Sequence, residues 1–214
     1  MIISFSGWSE THLPPFYRMK KLLIIVFTFA TSCLSAQSGK LPYFELQDGS
    51  EAYTAGRVAA RMIDGLGFRF YWATEGLRPA DLEYKPGTDA RTMEQTIAHI
   101  YAMSVLIVNS VTRTVNLAET ESPQLPFEQM RVETLQNFKK ASDILSQSSD
   151  KDLEGYKLMF KGNNQYIEFP FWNQLNGPIA DCLWHVGQVV SFRRASGNPF
   201  TDKVSVLTGK VAGN

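Results

Sequence analysis

Residues 92–112 constrain the fold more than any other stretch of the chain. Ile97, Ile100, Tyr101, Met103, Val105, Leu106, Ile107 and Val108 spread over most of the circumference of one helix. A helix that is apolar nearly all round is stable only when other elements enclose it. The chain must therefore supply further helices to surround this one. The same stretch holds an imidazole, His99. In apolar surroundings such a group needs a hydrogen-bond partner or a metal.

The partners are legible on either side. In residues 53–75, Val58, Met62, Leu66 and Phe70 recur at i, i+4 spacing, with Ile63 and Phe68 nearby, which predicts an amphipathic helix buried along that stripe. Gly65 and Gly67 weaken it by about 1 kcal/mol each relative to Ala. Residues 76–91 read as a connector, because Pro79, Pro86 and Gly87 interrupt any helix, and Asp89 or Thr92 can cap the next one. A third helix is predicted over 127–147, with Met130, Leu135, Phe138, Ile144 and Leu145 on one side and Lys139 and Lys140 on the other. Residues 148–172 form a long connection. Within it, 156–160 and 166–169 alternate and are rich in aromatics, with 161–164 as a turn, so a small β-hairpin is expected there. The fourth helix runs over 178–195, with Asn176 as N-cap, Pro178 in its first turn, Arg193 and Arg194 in its last, and Gly197 and Pro199 ending it. The expected fold is all-α: a four-helix bundle with a long crossover, carrying the hairpin, between helices three and four. Residues 37–52 precede the bundle as an extended arm, 53–199 form it, and 200–214 follow as a weakly patterned tail.

The N-terminal stretch belongs to a different category. Lys20 and Lys21 precede the apolar run 22–30, and small and polar residues follow up to Ala36. A basic start, a short apolar core and a small residue at the end are the marks of a secretory signal peptide, here residues 19–36. The run is too short to span a bilayer, which takes roughly 20 apolar residues. A buried N-terminal strand or helix is the other reading of the same run. Residues 1–18, with Glu10, His12 and Pro14-Pro15, do not resemble a leader and read as an upstream extension ahead of Met19. Cys33 offers an alternative outcome, lipid attachment. Export to a periplasm or the extracellular space is the expectation. The whole chain has 21 basic and 21 acidic residues in 214. Removing 1–36 takes away Arg18, Lys20, Lys21 and Glu10, leaving 178 residues with 18 basic and 20 acidic groups and a net charge of −2. Such a balance excludes a general nucleic-acid binder. The mature part keeps two His, His99 and His185, and one thiol, Cys182, so it has no internal disulfide.

Chemistry concentrates in the fourth helix. Asp181 and His185 lie at i, i+4 and share a face, and Gln188 is the next step along it. A carboxylate and an imidazole one turn apart chelate a divalent metal if another element adds a third ligand, and His99 is the remaining imidazole. The same residues also fit a purely structural role. Asp181 could pair with the helix start or with Arg61 or Arg69, and His185 could bond a carbonyl. Cys182 reads as a small buried hydrophobe. Trp72, Trp172 and Trp184, with Phe169 and Phe171, read as core or pocket wall. Arg193 and Arg194 read as a solvated helix end, or as a site for an anionic substrate. The sequence contains no Ser-His-Asp order, no phosphate-cradling Gly-rich loop and no H-E-x-x-H.

Three segments carry a family resemblance: 77–86 (LRPADLEYKP), 92–100 (TMEQTIAHI) and 181–188 (DCLWHVGQ). With the helix order, they make residues 53–199 resemble the DinB-like superfamily of four-helix-bundle proteins, which includes thiol-dependent transferases and metal-dependent hydrolases. The resemblance implies one divalent metal per chain, zinc or nickel foremost with manganese as a further option, held by a His on the second helix and two His four apart on the fourth. His99 matches the first and His185 the last. Asp181 stands where the family has the remaining His, an oxygen ligand in place of a nitrogen one, which either shifts the preference towards a harder metal or marks a member that has lost it. Gln188 would orient a ligand from behind. The resemblance further implies a small-molecule substrate and pairing into dimers. Hydrolysis leads over thiol transfer, because the usual thiol co-substrates are cytosolic. A non-catalytic bundle that binds a small ligand, or a structural one, is the alternative.

Overall fold

The computed structural model describes residues 41–49, 52–117, 125–162 and 165–213. The predicted upstream extension, the signal peptide, Cys33 and parts of the arm lie outside the described residues.

The chain is mostly helical, with two small sheets. Its long helices are α1 (Ala55–Thr74), α3 (Met93–Val111), α4 (Phe127–Ser146) and α7 (Ala180–Ala195). Each has substantial contact with two of the others, in the ring α1–α4–α3–α7–α1. Thr54 caps α1 by accepting from the Arg57 N–H. Thr92, rather than Asp89, caps α3, and its partner Gln95 completes a reciprocal capping box. α3 is enclosed as its composition demands: no residue from Thr96 to Thr112 is fully exposed. The core joins Ile63, Leu66 and Phe70 of α1 to Ile97, Ile100 and Ile107 of α3, Leu135 and Phe138 of α4, and Val186 and Val189 of α7. No helix among the described residues is long and apolar enough to cross a membrane.

Several local expectations need correcting. The buried stripe of α1 runs through Ala59, Ile63, Leu66 and Phe70, while Val58 and Met62 face outward. The predicted stripe is about one position out of phase at its N-terminal end. α1 has apolar residues on most of its faces, and the packing of α4 decides which of them go in. The connector is not free of helix. Pro79 opens a single turn, α2 (Pro79–Leu82), at the position where a proline loses no hydrogen bond. Gly67 has a tertiary reason: a Cβ there would come within 2.5 Å of the Tyr43 ring. Tyr43 belongs to residues 41–49, which lie against the molecule. Trp72 Nε1–H donates to the Phe44 carbonyl, and the Leu46 N–H donates to the Gly209 carbonyl. The tail is ordered too, with β4 (Val204–Ser205) antiparallel to β5 (Lys210–Val211).

Between α4 and α7 come α5 (Asp150–Gly155), then β2 (Lys157–Gly162) and β3 (Gln165–Pro170). The two strands form the expected antiparallel hairpin, with Leu158 opposite Phe169 and Phe160 opposite Ile167. β1 (Asn116–Leu117) pairs with β2 in parallel on its other side. A turn of helix, α6 (Phe171–Gln174), and a π-helical turn (Leu175–Ile179) then lead into α7. Asn176 is therefore not an N-cap. The Ala180 N–H already donates to the Gly177 and Leu175 carbonyls, so α7 is entered from a preceding turn of helix and has no side-chain cap. Pro178 acts one residue upstream. It disfavours helical geometry at Gly177, whose φ of −90° and ψ of −105° kink the entry into α7.

Arg193 is buried, not solvated. Its guanidinium donates to the Trp72, Ala73 and Glu75 carbonyls and so closes the C-terminal end of α1. Beside it, Asp81 accepts from Arg78, Ser196 and Asn198 and is fully buried. Arg194 is exposed.

Candidate metal centre

α7 buries Cys182, Val186, Val189 and Arg193. Asp181, His185 and Gln188 each sit one residue before the first three of these positions. Helical geometry therefore places them on a neighbouring stripe, at the border between core and solvent. His99 comes from the middle of α3, one residue before the buried Ile100. The packing of α7 on α3 brings the two borders together.

The ligand atoms of His99, Asp181 and His185 all lie within 4.8 Å of one another, and among the described residues they form the one such group of three. His99 Nε2 is 2.8 Å from Asp181 Oδ2, and His185 Nε2 is 3.4 Å from Asp181 Oδ1. The imidazole rings stand nearly perpendicular, 83° apart, with centroids 4.6 Å from each other. The three side chains are 27%, 36% and 15% exposed respectively, so small solutes reach them while the protein holds them. Gln188 Oε1 lies 2.8 Å from His185 Nδ1. With the amide oxygen assigned to that contact, Nδ1 carries the proton and Nε2 presents its lone pair to the cluster.

Of the structural alternatives for Asp181, a place at the helix start is met, since it lies in the first turn of α7. Arg61 donates to the Gln47 carbonyl and Arg69 to the Gly65 carbonyl, so neither takes Asp181. Cys182 points the other way. It is fully buried, its sulfur 3.9 Å from the Ile100 carbonyl, and burial, followed by the Asp181 charge, pushes its thiol pKa up.

The three tryptophans do not gather around the cluster. Trp72, Trp172 and Trp184 line three separate hollows, and of these only the Trp184 hollow includes Asp181. Trp172 and Trp184 are 74% and 73% exposed, so neither is a core residue. Asn173 and Asn176 also line the Asp181 hollow, and sequence reasoning misses both. Asn176 reads as a cap, and no sequence signal separates that role from a place on a kinked entry.

Fold and cluster define a mostly helical protein with a candidate metal centre of two histidines and one aspartate. No family model matches the chain, and no curated protein matches it. The fold is similar to the crystal structure of a DinB-like protein from Bacillus subtilis, with 15% identity, a TM-score of 0.49, and coverage of 65% of this chain and 92% of that one.

Proposed function

We propose that the protein is an exported, DinB-like four-helix-bundle protein that binds one divalent metal through His99, Asp181 and His185. We further propose that it acts as a metal-dependent hydrolase on a small molecule. The observation that supports this reading is the meeting of three ligand atoms from two helices within 4.8 Å, beside an opening to solvent. Two nitrogens and one oxygen suit zinc or nickel, and the oxygen admits manganese. Three protein ligands leave a coordination position for a reactant. Bound there, such an ion would supply Lewis acidity, polarising a carbonyl and easing proton loss from water. Gln188 holds the His185 ring by its Nδ1–H and fixes the tautomer that offers Nε2. Asp181 instead meets His99 at Nε2, the nitrogen that would ligate, so an ion bound there would take the place of that hydrogen bond. Thiol transfer at the same centre is the second catalytic version.

One observation favours a non-catalytic alternative. The 2.8 Å contact between His99 and Asp181 lets these two groups satisfy each other with no ion present. Metal analysis separates the readings. Protein purified without added metal and then incubated with zinc, nickel and manganese in turn should take up one ion per chain. His99→Ala and His185→Ala should each abolish uptake with the helical signal unchanged. A wild-type stoichiometry that stays near zero with all three metals would leave the non-catalytic reading standing.

A further inference from the structure

Beside Asp181 the surface sinks into a hollow of about 620 Å³. That is the size of a small-molecule site. Strand alternation builds one wall. Leu158 and Phe160 of β2 and Phe169 of β3 stand on one face of the hairpin, and the Phe160 and Phe169 rings meet at 72° with centroids 6.3 Å apart. Leu106 of α3 and Trp184 of α7 also line the space, and Trp184 lies one turn beyond Asp181 on the same helix. The opposite face of the hairpin carries the Lys157–Glu168 ion pair, with the Tyr166 hydroxyl donating to Glu168. The hairpin thus keeps its charges and Tyr166 on one face and turns its two phenylalanines towards the hollow.

The composition of the hollow selects its occupant. Among the described residues no Lys or Arg lines it, and Asp181 is the one ionisable group there. Asn173 and Asn176 supply neutral amides that both donate and accept. A flat apolar body would cover the exposed Trp184 indole and the Phe169 edge, removing apolar surface from water. With no ion bound, a phosphate in the hollow would find no cation among the lining side chains and would face the Asp181 carboxylate. We infer that this hollow is the substrate site of the metal centre, and that the part of the substrate seated in it has a flat apolar body and a small neutral polar group, any anionic group being left to the ion. The assignment rests on the metal-binding reading of His99, Asp181 and His185.

The test uses 2-naphthol and 2-naphthyl phosphate as probes, with calorimetry on metal-free and zinc-loaded protein. In the metal-free protein the naphthol should bind about tenfold more tightly than its phosphate ester, since the ester's charge would meet the Asp181 carboxylate with no lining cation to offset it. The double variant Phe169→Ala, Trp184→Ala should weaken naphthol binding by about tenfold or more, the loss expected for two aromatic contacts. Its zinc affinity should stay within about twofold of wild type, because neither residue is a ligand. Zinc binding with no naphthol binding would overturn the substrate assignment and leave the metal centre intact. So would equal binding of the two probes, or a double variant that binds naphthol like wild type. Failure of the wild-type protein to bind zinc would remove the metal reading, and the role of the hollow with it.

Discussion

Asp81 and Asp181 carry the same carboxylate in opposite surroundings. Asp81 is fully buried, and both of its oxygens are occupied: Oδ1 accepts from the Arg78 guanidinium and the Ser196 hydroxyl, and Oδ2 from the Arg78 N–H and Nε–H and from Asn198. Asp181 is about a third exposed and meets two imidazoles, one of them at 3.4 Å. The first arrangement uses up its hydrogen-bonding capacity and ties the connector to the end of α7. The second leaves capacity over, directed at one point that solvent reaches. A saturated polar cluster holds the chain together, and an unsaturated one is equipped to receive something.

The contrast breaks most visibly at Asp81. Asp81→Ala should cost about 1–3 kcal/mol in denaturant unfolding at neutral pH, since the Arg78, Ser196 and Asn198 donors gathered on this buried carboxylate lose their acceptor at once. Metal uptake should be unaffected. Hydrogen bonds from Arg78, followed by those from Ser196 and Asn198, hold the Asp81 carboxyl below the usual carboxylate range. A carboxylate whose folded-state pKa is depressed stabilises fully above its unfolded value of about 4, and that contribution fades as pH falls through the folded value. The stability difference between wild type and Asp81→Ala should therefore shrink on acidification. A difference that stays constant down to the acid transition would refute this account of Asp81.

A smaller effect sharpens the other half of the comparison. Gln188→Ala should leave folding stability nearly unchanged and weaken zinc binding by about 10–100-fold, the usual cost of losing a group that orients a ligand. An unchanged zinc dissociation constant would mean that the Gln188–His185 contact does not position the ring. The smallest effect belongs to a third kind of ionic contact. Lys139 and Asp143 pair at i, i+4 on α4, and both are about half exposed. Lys139→Met should change unfolding free energy by no more than about 0.5 kcal/mol. A larger loss would show that exposure does not separate these classes.

What is legible in the sequence follows the range over which each feature is determined. α3 can be read from its own composition, and the hairpin from alternation across a few residues. Asp181, His185 and Gln188 can be read as one stripe, because helical spacing is local. The Asp81–Arg193 cluster cannot, since it joins residues 72–81 to 193–198, and nothing in either segment announces the other. Arg193 looks like a solvated helix end because Lys and Arg are common there, and only the arrival of the α1 carbonyls makes it a buried donor. The phase of α1 escapes the sequence for a similar reason. Its apolar residues fit two overlapping stripes, and contacts with α4 choose between them. The kink at Gly177 is hidden because Pro178 is equally at home in the first turn of a straight helix.

The pairing of His99 with Asp181 has a mechanical side as well. The two residues are 82 positions apart in the chain and sit on different helices. An ion gripping both would fasten α3 to α7 as a covalent bridge does, shrinking the freedom of the unfolded chain by closing a long loop. Among the described residues the single cysteine, Cys182, is free. Such an ion would be the rivet that the described residues, with no disulfide among them, otherwise lack.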